Sequence, residues 1–183
     1  LRWAFNSGQW QPTMEQFVTA LSMIQQEERK KVSGYLFKRD VKSALTGRLM
    51  IRAAVRKALS LKNVDIKLQR TDNGRPFLEQ TSGTNSNFDF NISHQDELVV
   101  LASEFHGRIG VDTMAIDRPI GSKSLDKFFE TMKRQFKMNE WKFIKSAPCD
   151  KSKLFNFLRL WCMKESYVKA LGDGIGFQLS RIE

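Results

Sequence analysis

The chain of 183 residues is long enough for one domain or two small lobes, and its 41% hydrophobic and 27% charged residues exclude an intrinsically disordered protein. The two cysteines, Cys149 and Cys162, exclude a disulfide-stabilised secreted fold and show no metal-site spacing, so we expect a reducing compartment. The net charge of +10 predicts an acidic partner.

The positive charge is concentrated between residues 29 and 57, where ten lysines and arginines accompany a single acid, Asp40. Such a segment suits a nucleic acid, an acidic protein or a small ligand that carries several phosphates. The first residues have no long apolar run, and the apolar run at 98–102 is far too short to cross a bilayer. We therefore expect a cytoplasmic protein with no membrane partner.

The first elements in chain order are a strand at 2–5, a turn at 8–12 and a helix that begins at Thr13. Thr13 and Gln16 have the spacing of a capping box, in which each side chain accepts a hydrogen bond from the other's backbone. The apolar face of this helix is predicted to comprise Phe17, Val18, Leu21 and Ile24.

A longer helix is predicted over 35–59. Arg48, Arg52 and Arg56 repeat every fourth residue along one face, which is most simply a solvated face. The other face is expected to bury six apolar residues: Leu36, Phe37, Val41, Leu45, Leu49 and Val55.

The segment from 64 to 78 predicts a hairpin. Residues 64–68 alternate as a strand does, and the tight turn at 72–74 precedes a second short strand. Arg70 and Arg75 flank this turn, and a guanidinium can form paired hydrogen bonds with a phosphate. The hairpin is therefore either purely structural or part of a phosphate site.

A polar cluster follows the alternating strand predicted at 88–92. Ser93, His94 and Gln95 place a hydroxyl, an imidazole and an amide in succession at its end, which suits phosphate oxygens. A lone histidine after a strand is more often structural. His106 has no such context, and we interpret it as a surface residue.

The second half begins after a buried strand predicted at 98–103, with a boundary near His106. Residues 109–112 (IGVD) have strand character and end on an acid, which would lie at the mouth of a sheet. Further on, Ser124 is predicted to open one helix and Asn139 to cap another.

The last predicted helix runs over 151–171 and ends at Gly172, a typical left-handed C-cap. Trp161, Glu165 and Lys169 lie on one face of it, four residues apart. Glu165 and Lys169 then form either a solvated salt bridge worth about 0.3–0.5 kcal/mol or a functional pair.

The order and spacing of two motifs, IGVD (109–112) and WCMKESYVK (161–169), resemble the two signatures of the 4′-phosphopantetheinyl transferases. The resemblance continues upstream through GRLMIR (47–52), GRP (74–76) and NISH (91–94), so it covers nearly the whole chain.

The resemblance implies an α+β fold of two similar lobes, each a small, mostly antiparallel sheet packed on helices. The lobes would be related by a pseudo-twofold, with the active site in the cleft between them. Residues 1–106 would form the N-terminal lobe and 107–183 the C-terminal lobe. A strand is expected at 175–179, and because relatives usually continue with further strands, we expect the second lobe to be incomplete or the chain to be shortened.

The implied reaction transfers the phosphopantetheine arm of coenzyme A to a serine of an apo acyl or peptidyl carrier domain, such as that of fatty acid synthase. Adenosine 3′,5′-bisphosphate is released. By this resemblance Asp112 and Glu165 would hold Mg²⁺, Glu165 would be the general base, and Lys169 would contact the α-phosphate.

The same resemblance implies a coenzyme A site in the N-terminal lobe. Its expected contacts are Lys31, which matches by position only, Arg70, Thr71, Asp72, Asn73, Gly74, Arg75, Asn91, Ile92, Ser93 and His94. One residue departs from many bacterial relatives, which have a second acid where this chain has Met114. A thioether is a poor Mg²⁺ ligand, so water or Gln95 would have to substitute.

Two other interpretations remain. A basic α+β nucleic-acid-binding module would use residues 29–57 as its footprint. We find no RNP-type aromatic motif, zinc spacing or helix-turn-helix signature, and therefore expect no nucleic-acid partner. A catalytically silent scaffold would keep the fold without the activity. For the transferase we expect a monomer.

Overall fold

The computed structural model describes residues 1–79, 87–116 and 124–182, and these residues form an α+β fold, as predicted. The larger sheet is antiparallel, with the strand order β1-β5-β4. Its strands are β1 (Arg2–Asn6), β4 (Asp89–Gln95) and β5 (Leu98–Glu104). A second antiparallel pair consists of β2 (Leu68–Arg70) and β3 (Pro76–Leu78). Both sheets lie within the first 106 residues.

The described residues also contain α1 (Met14–Ser22), α2 (Gln26–Ser33), α3 (Lys38–Leu59), α4 (Leu125–Thr131), α5 (Met138–Lys145) and α6 (Asp150–Leu171). Helix α3 packs against β4 and β5, and α1 and α2 pack on α3. The core between α3 and the sheets comprises Ile51, Ala54, Val55, Ile66, Leu68, Phe88, Phe90 and Leu101. Among the described helices, none has both the length and the apolar character required to span a bilayer.

The last three helices share a separate aromatic core. It contains Leu125, Phe129, Phe136, Ile144, Leu154, Phe157 and Leu158, with Trp141 and Trp161 packed at its margin. No strand occurs in the described part of residues 107–182, so the sheet predicted for the second lobe is not seen there.

Two helix ends follow the chemistry predicted from the sequence. Thr13 and Gln16 form the capping box at the start of α1. Gly172 adopts a left-handed conformation at the end of α6, with φ of 82°, and its N–H donates to the carbonyl of Val168. Both helices therefore have the ends that their sequences predict.

The start of α3 differs from the prediction. The helix begins at Lys38 because Phe37 has an extended backbone, and Leu36 and Phe37 are 87% and 55% exposed, not buried. The charged run before it forms α2, which was not predicted. Acids in its first turn and bases in its last turn complement the helix dipole, and these charges favour a helix despite the few apolar residues.

The strand predicted at 64–68 is wrong. Residues Asn63–Asp65 form a 3-10 turn, and Asn63 fixes it by donating to Met23 O and accepting from Arg52. Strand β2 begins only at Leu68.

The cap predicted for α5 is also wrong. The helix begins at Met138, one residue before Asn139, because the Glu140 carboxylate accepts a hydrogen bond from the N–H of Lys137 at 2.8 Å.

The strand predicted at 175–179 is replaced by two 3-10 helices, Gly174–Gly176 and Leu179–Arg181. The carbonyls of Leu179 and Ile182 accept hydrogen bonds from the buried Lys164 ammonium, at 3.0 and 2.7 Å. These two contacts hold the segment against α6 in an irregular conformation.

Candidate functional site

Residues 109–112 lie between β4 and α6 and form no strand, contrary to the prediction. Three alternate side chains of β4 hold this segment. Asp89 accepts from the N–H of Ile109 at 2.7 Å, Asn91 accepts from the N–H of Val111 at 3.0 Å, and Ser93 donates to Asp112 at 2.9 Å. The polar side of β4 therefore fixes the position of the Asp112 carboxylate.

Gly110 allows the same segment to approach α6 closely. A Cβ at this position would lie 1.8 Å from the carbonyl oxygen of Ser166 and 2.8 Å from the backbone nitrogen of Ala170. These are helix backbone atoms, which cannot rotate away as a side chain can. The glycine in IGVD is therefore required by packing against α6.

Gly110→Ala is expected to lower the free energy of unfolding by at least about 1 kcal/mol, because the added methyl group must displace helix backbone. Urea unfolding measures this loss. Gly176→Ala is the matched control, since a Cβ there meets no atom within 4 Å. Equal stability of the Gly110 variant and the wild type would contradict the packing argument.

Asp112, Ser93 and Lys169 form one hydrogen-bonded group. The Lys169 ammonium donates to the Ser93 hydroxyl at 2.9 Å and to Asp112 Oδ1 at 2.5 Å. The Asp112 side chain is only 9% exposed and that of Lys169 is 32% exposed. Asp112, from the irregular segment 109–112, and Lys169, from α6, thus form a partly buried ion pair.

Glu165 lies one helical turn before Lys169 on α6, near enough to Asp112 and Lys169 for their charges to shift its pKa. Burial raises the pKa of Glu165, the negative charge of Asp112 raises it further, and Lys169 partly opposes both effects. Burial and then Asp112 also raise the pKa of Cys162, to about 11. We call Asp112, Cys162, Glu165 and Lys169 the carboxylate cluster.

The two carboxylates of this cluster have the chemistry of a site for a hard divalent cation. Asp112 raises the pKa of Glu165, so the two acids repel each other, and a cation between them would relieve that repulsion. In the part of the chain that the structure describes, no three His, Cys, Asp or Glu side chains are grouped so that they could hold a metal. The remaining ligands of such a cation would therefore be water or substrate oxygens.

A cavity of about 340 Å³ adjoins the cluster at Lys169. It is formed by α3, the turn between β2 and β3, strand β4 and the end of α6. Its basic lining residues are Arg48, Arg70, Arg75, His94 and Lys169. The lining residues described for this cavity include no Asp or Glu. Such a cavity suits an anionic ligand.

Eight of the residues predicted for the coenzyme site or the catalytic site line this cavity: Arg70, Asn73, Gly74, Arg75, Asn91, Ile92, His94 and Lys169. Ser93 and His94 were predicted to follow the strand, which is wrong, since both lie within β4. Ser93 and Asp112 lie beside the cavity, since both contact the Lys169 ammonium, and Glu165 lies one turn before Lys169 on α6. Thr71 and Asp72 are exposed in the turn, outside the lining. Lys31 is also exposed and lines a neighbouring groove that shares Arg70.

Arg75 is bound mainly by the protein itself. Its guanidinium donates to both Asp89 oxygens, at 3.0 and 2.8 Å, and to the carbonyls of Lys169 and Ile109, each at 2.9 Å. Four hydrogen bonds nearly exhaust the five N–H groups of an arginine. Arg75 therefore joins the hairpin, β4, residues 109–112 and α6 at the edge of the cavity.

Comparison with known proteins identifies the family. Residues 8–106 match the sequence profile described as 4′-phosphopantetheinyl transferase, N-terminal, and residues 108–183 match that of the 4′-phosphopantetheinyl transferase superfamily. The chain belongs to the 4′-phosphopantetheinyl transferase family.

Individual members of this transferase family match along most or all of the chain. The L-aminoadipate-semialdehyde dehydrogenase-phosphopantetheinyl transferase of Rattus norvegicus is 43% identical over 100% of this chain and 59% of its own length. A phosphopantetheinyl transferase of Thraustochytrium sp. is 38% identical, over 98% of this chain and 63% of its own. The 4′-phosphopantetheinyl transferase gsp of Aneurinibacillus migulanus is 32% identical, over 84% of this chain and 58% of its own length. The chain thus spans about three fifths of the length of these relatives.

Lys164 of the transferase-family motif has no role predicted from the sequence. Its ammonium is buried, lies 2.8 Å from the Glu140 carboxylate and donates to two backbone carbonyls of residues 179–182. All three N–H groups are used. Lys164 therefore joins α5 and the segment after α6 to α6 itself. The sequence around this lysine contains no pattern that would predict these contacts.

Arg48 and Arg52, which the sequence pattern places on a solvated face, are both buried, at 8% and 4% exposure. Their carboxylate partner is Glu28, on α2. Because α2 itself was not predicted, no pattern in the sequence connected this acid with the arginines.

Proposed function

We propose that this chain carries the active site of a 4′-phosphopantetheinyl transferase. The reaction transfers the phosphopantetheine arm of coenzyme A to a serine of an apo carrier domain and releases adenosine 3′,5′-bisphosphate. The observation that carries the proposal is the ion pair between Asp112 and Lys169, from distant parts of the sequence, at the edge of a cationic cavity, with Glu165 one helical turn before Lys169. Family membership supports the same reaction.

The coenzyme would lie in the cavity with its diphosphate towards Lys169. Its contacts would come from Arg70 to Arg75, from Asn91 to His94, and from Lys31 in the adjoining groove. Residues 1–106 would act as the coenzyme-binding lobe and 107–183 as the catalytic lobe, with the site in the cleft between them. The meeting of the two matched family segments between residues 106 and 108 supports this division.

Asp112 and Glu165 would hold Mg²⁺, whose contribution when bound is to neutralise the crowded charge of the diphosphate. Glu165 would accept the proton of the carrier serine, and its raised pKa favours this, because a more basic carboxylate takes a proton more readily. The serine oxygen then forms a bond to the phosphorus of the phosphopantetheine arm. The bond from that phosphorus to the bridging oxygen breaks, and adenosine 3′,5′-bisphosphate leaves with the electron pair.

Lys169 would stabilise the leaving group. In the structure its ammonium contacts Asp112 and Ser93, at the edge of the cavity. A flexible lysine can turn from this carboxylate to the α-phosphate, where negative charge develops as the bond breaks. Cation binding by Asp112 would assist this movement, since it takes over the neutralisation of that acid.

The partner would be an apo acyl or peptidyl carrier domain. The names of several relatives connect those proteins with L-aminoadipate-semialdehyde dehydrogenase. For this chain we propose carrier domains in general, including those of fatty acid synthase.

Intact mass spectrometry tests the proposal. The full chain is mixed with coenzyme A, Mg²⁺ and an apo carrier domain, and the carrier is expected to gain one phosphopantetheine. A carrier whose acceptor serine is replaced by alanine is the control and should gain nothing. An unmodified wild-type carrier after prolonged incubation would contradict the proposed function.

A further inference from the structure

A groove of about 360 Å³ lies between β1 and α3 and has no described lining residue in common with the coenzyme cavity. We call it the β1 groove. Its Phe5 side chain is 42% exposed, although it is large and apolar. The described residues therefore leave an apolar surface partly uncovered here. The lining is mostly apolar and includes two tryptophans: Trp3, Phe5, Trp10, Thr46, Leu49, Met50 and Ala53.

Strand β1, one wall of this groove, is an edge strand of the larger sheet. The backbone nitrogen of Leu1 donates to the carbonyl of Ser103 at 2.7 Å, and the N–H of Ser103 donates to the carbonyl of Leu1 at 2.9 Å. Six residues further on, the N–H of Ser7 donates to the carbonyl of Glu97 at 2.7 Å. Because the direction of the backbone groups alternates along an antiparallel strand, the odd-numbered residues from 1 to 7 direct their N–H and C=O groups to β5.

The even-numbered residues of β1 direct their backbone groups to the outer edge of the sheet. These residues are Arg2, Ala4 and Asn6, and among the described residues β1 has no strand on that side. Their N–H and C=O groups are available to a further strand. Trp3 and Phe5 both line the groove, beside this free edge. A strand added to β1 would therefore direct every second side chain towards the groove.

Positive charge adjoins the groove. Ala53 lines both the groove and a neighbouring pocket, which also contains Arg56 and Lys57, both exposed. The Lys57 ammonium lies 5.8 Å from the centroid of the Trp3 ring. The lining residues described for the groove and the pocket include no Asp or Glu. Acids of a bound partner would supply the missing counter-charge.

These features favour one kind of occupant. A second copy of the chain would bring the same net charge of +10 to this cationic surface and would be repelled. A helix in the groove would leave the outer N–H and C=O groups of β1 unused. An extended, acidic segment of another protein would use the free edge, the apolar groove and the two cations together.

We propose that β1 and its groove bind an extended segment of a partner protein, which adds to β1 as a further strand. Apolar side chains at alternate positions of the segment would enter the groove beside Trp3 and Phe5. Acidic residues at one end would pair with Arg56 and Lys57. Backbone hydrogen bonds then provide affinity, and the alternate side chains provide specificity. The site is separate from the coenzyme cavity and does not depend on the proposed reaction.

Selection from a random peptide library displayed on phage tests the proposal. Peptides that bind the Ala4→Pro variant are removed first, and the remainder are selected on the full wild-type chain. Proline removes the outward N–H of Ala4 and obstructs the outer edge, while the N–H groups directed to β5 remain. Enriched peptides are expected to have alternate apolar residues and acids. By fluorescence anisotropy they should bind the wild type at least about tenfold more tightly than Ala4→Pro, and Ala4→Val, which keeps the N–H, within about threefold of wild type.

Two further measurements identify the binding mode. An enriched peptide is N-methylated at alternate amides, on one edge or on the other. Methyl groups on the edge that faces β1 should weaken binding at least about tenfold, and those on the other edge less than about threefold. Lys57→Glu should weaken binding by about threefold or more, since it repels the acids of the peptide. Lys151→Glu, at an exposed lysine of α6, is the control and should not change it.

Several results would overturn the proposal. Failure to enrich any peptide that prefers the wild type to Ala4→Pro would exclude the site. An equal loss of affinity in both N-methylated peptides would exclude strand addition, and this comparison uses the wild-type chain, so it does not depend on the stability of Ala4→Pro. Dimerisation in sedimentation equilibrium that Ala4→Pro abolishes would assign the free edge to a second copy instead.

Discussion

Glu165→Gln is expected to reduce the rate of carrier modification by at least about 100-fold and to leave coenzyme A binding within about threefold of wild type. Glutamine has nearly the same shape, but its amide cannot accept the serine proton and is a weaker ligand for a hard cation. Glu165 lies in the carboxylate cluster, beside the cavity and not among its lining residues, so the coenzyme should still bind. Initial rates by intact mass and calorimetry with coenzyme A measure the two effects.

Glu130→Gln is the matched control for this experiment. Glu130 is exposed on α4 and its ion-pair partner among the described residues is the exposed Lys133, so the same change there should alter neither rate nor binding. A Glu165 variant that retains a rate within a few-fold of wild type would refute the general-base role. If the variant lost coenzyme binding in proportion to its rate, Glu165 would act in coenzyme binding and not in the chemical step.

Asp112→Asn is expected to weaken divalent cation binding at least about tenfold, because even residues that only support metal ligands change affinity by about 10–100-fold. Asparagine keeps the hydrogen bond from Ser93 and loses the charge that faces Lys169. Titration with Mn²⁺ followed by electron paramagnetic resonance measures the affinity directly, without turnover. Asp126→Asn, an exposed acid near the start of α4, serves as control.

An unchanged Mn²⁺ affinity in the Asp112 variant would exclude it as a ligand. Its ion pair with Lys169 would then be the whole role of that residue. Loss of cation affinity in both Asp112→Asn and Glu165→Gln, with no further loss in the double variant, would indicate one site shared by two residues.

Local signals in the sequence predicted those parts of the fold that depend on near neighbours. The capping box of α1 and the glycine after α6 involve residues within four positions of each other, and both have the expected geometry. The errors occur where distant contacts decide the structure. Asn63 is held by hydrogen bonds with Met23 and Arg52, and the carbonyls of Leu179 and Ile182 accept hydrogen bonds from Lys164. No short pattern in the sequence reports such contacts.

In the candidate site, too, the sequence predicted the motif residues but not the distant contacts that hold them. Asp112, Glu165 and Lys169 were predicted from two motifs, and the structure brings them together. The polar side chains of β4 that hold Asp112 were interpreted as phosphate contacts or not considered, because the alternation of Asp89, Asn91 and Ser93 does not show what lies across from the strand. The sequence thus indicated the chemistry, while the supporting contacts required the three-dimensional arrangement.

The central claim is that two acids, far apart in the chain, share one divalent cation at the mouth of the coenzyme cavity. The most direct measurement is anomalous diffraction from crystals of the full chain grown with coenzyme A and Mn²⁺. We expect a single strong manganese peak within ligand distance of carboxylate oxygens of both Asp112 and Glu165 and of the coenzyme diphosphate. A coenzyme bound in the cavity with manganese absent from these two acids, or bound elsewhere, would contradict it.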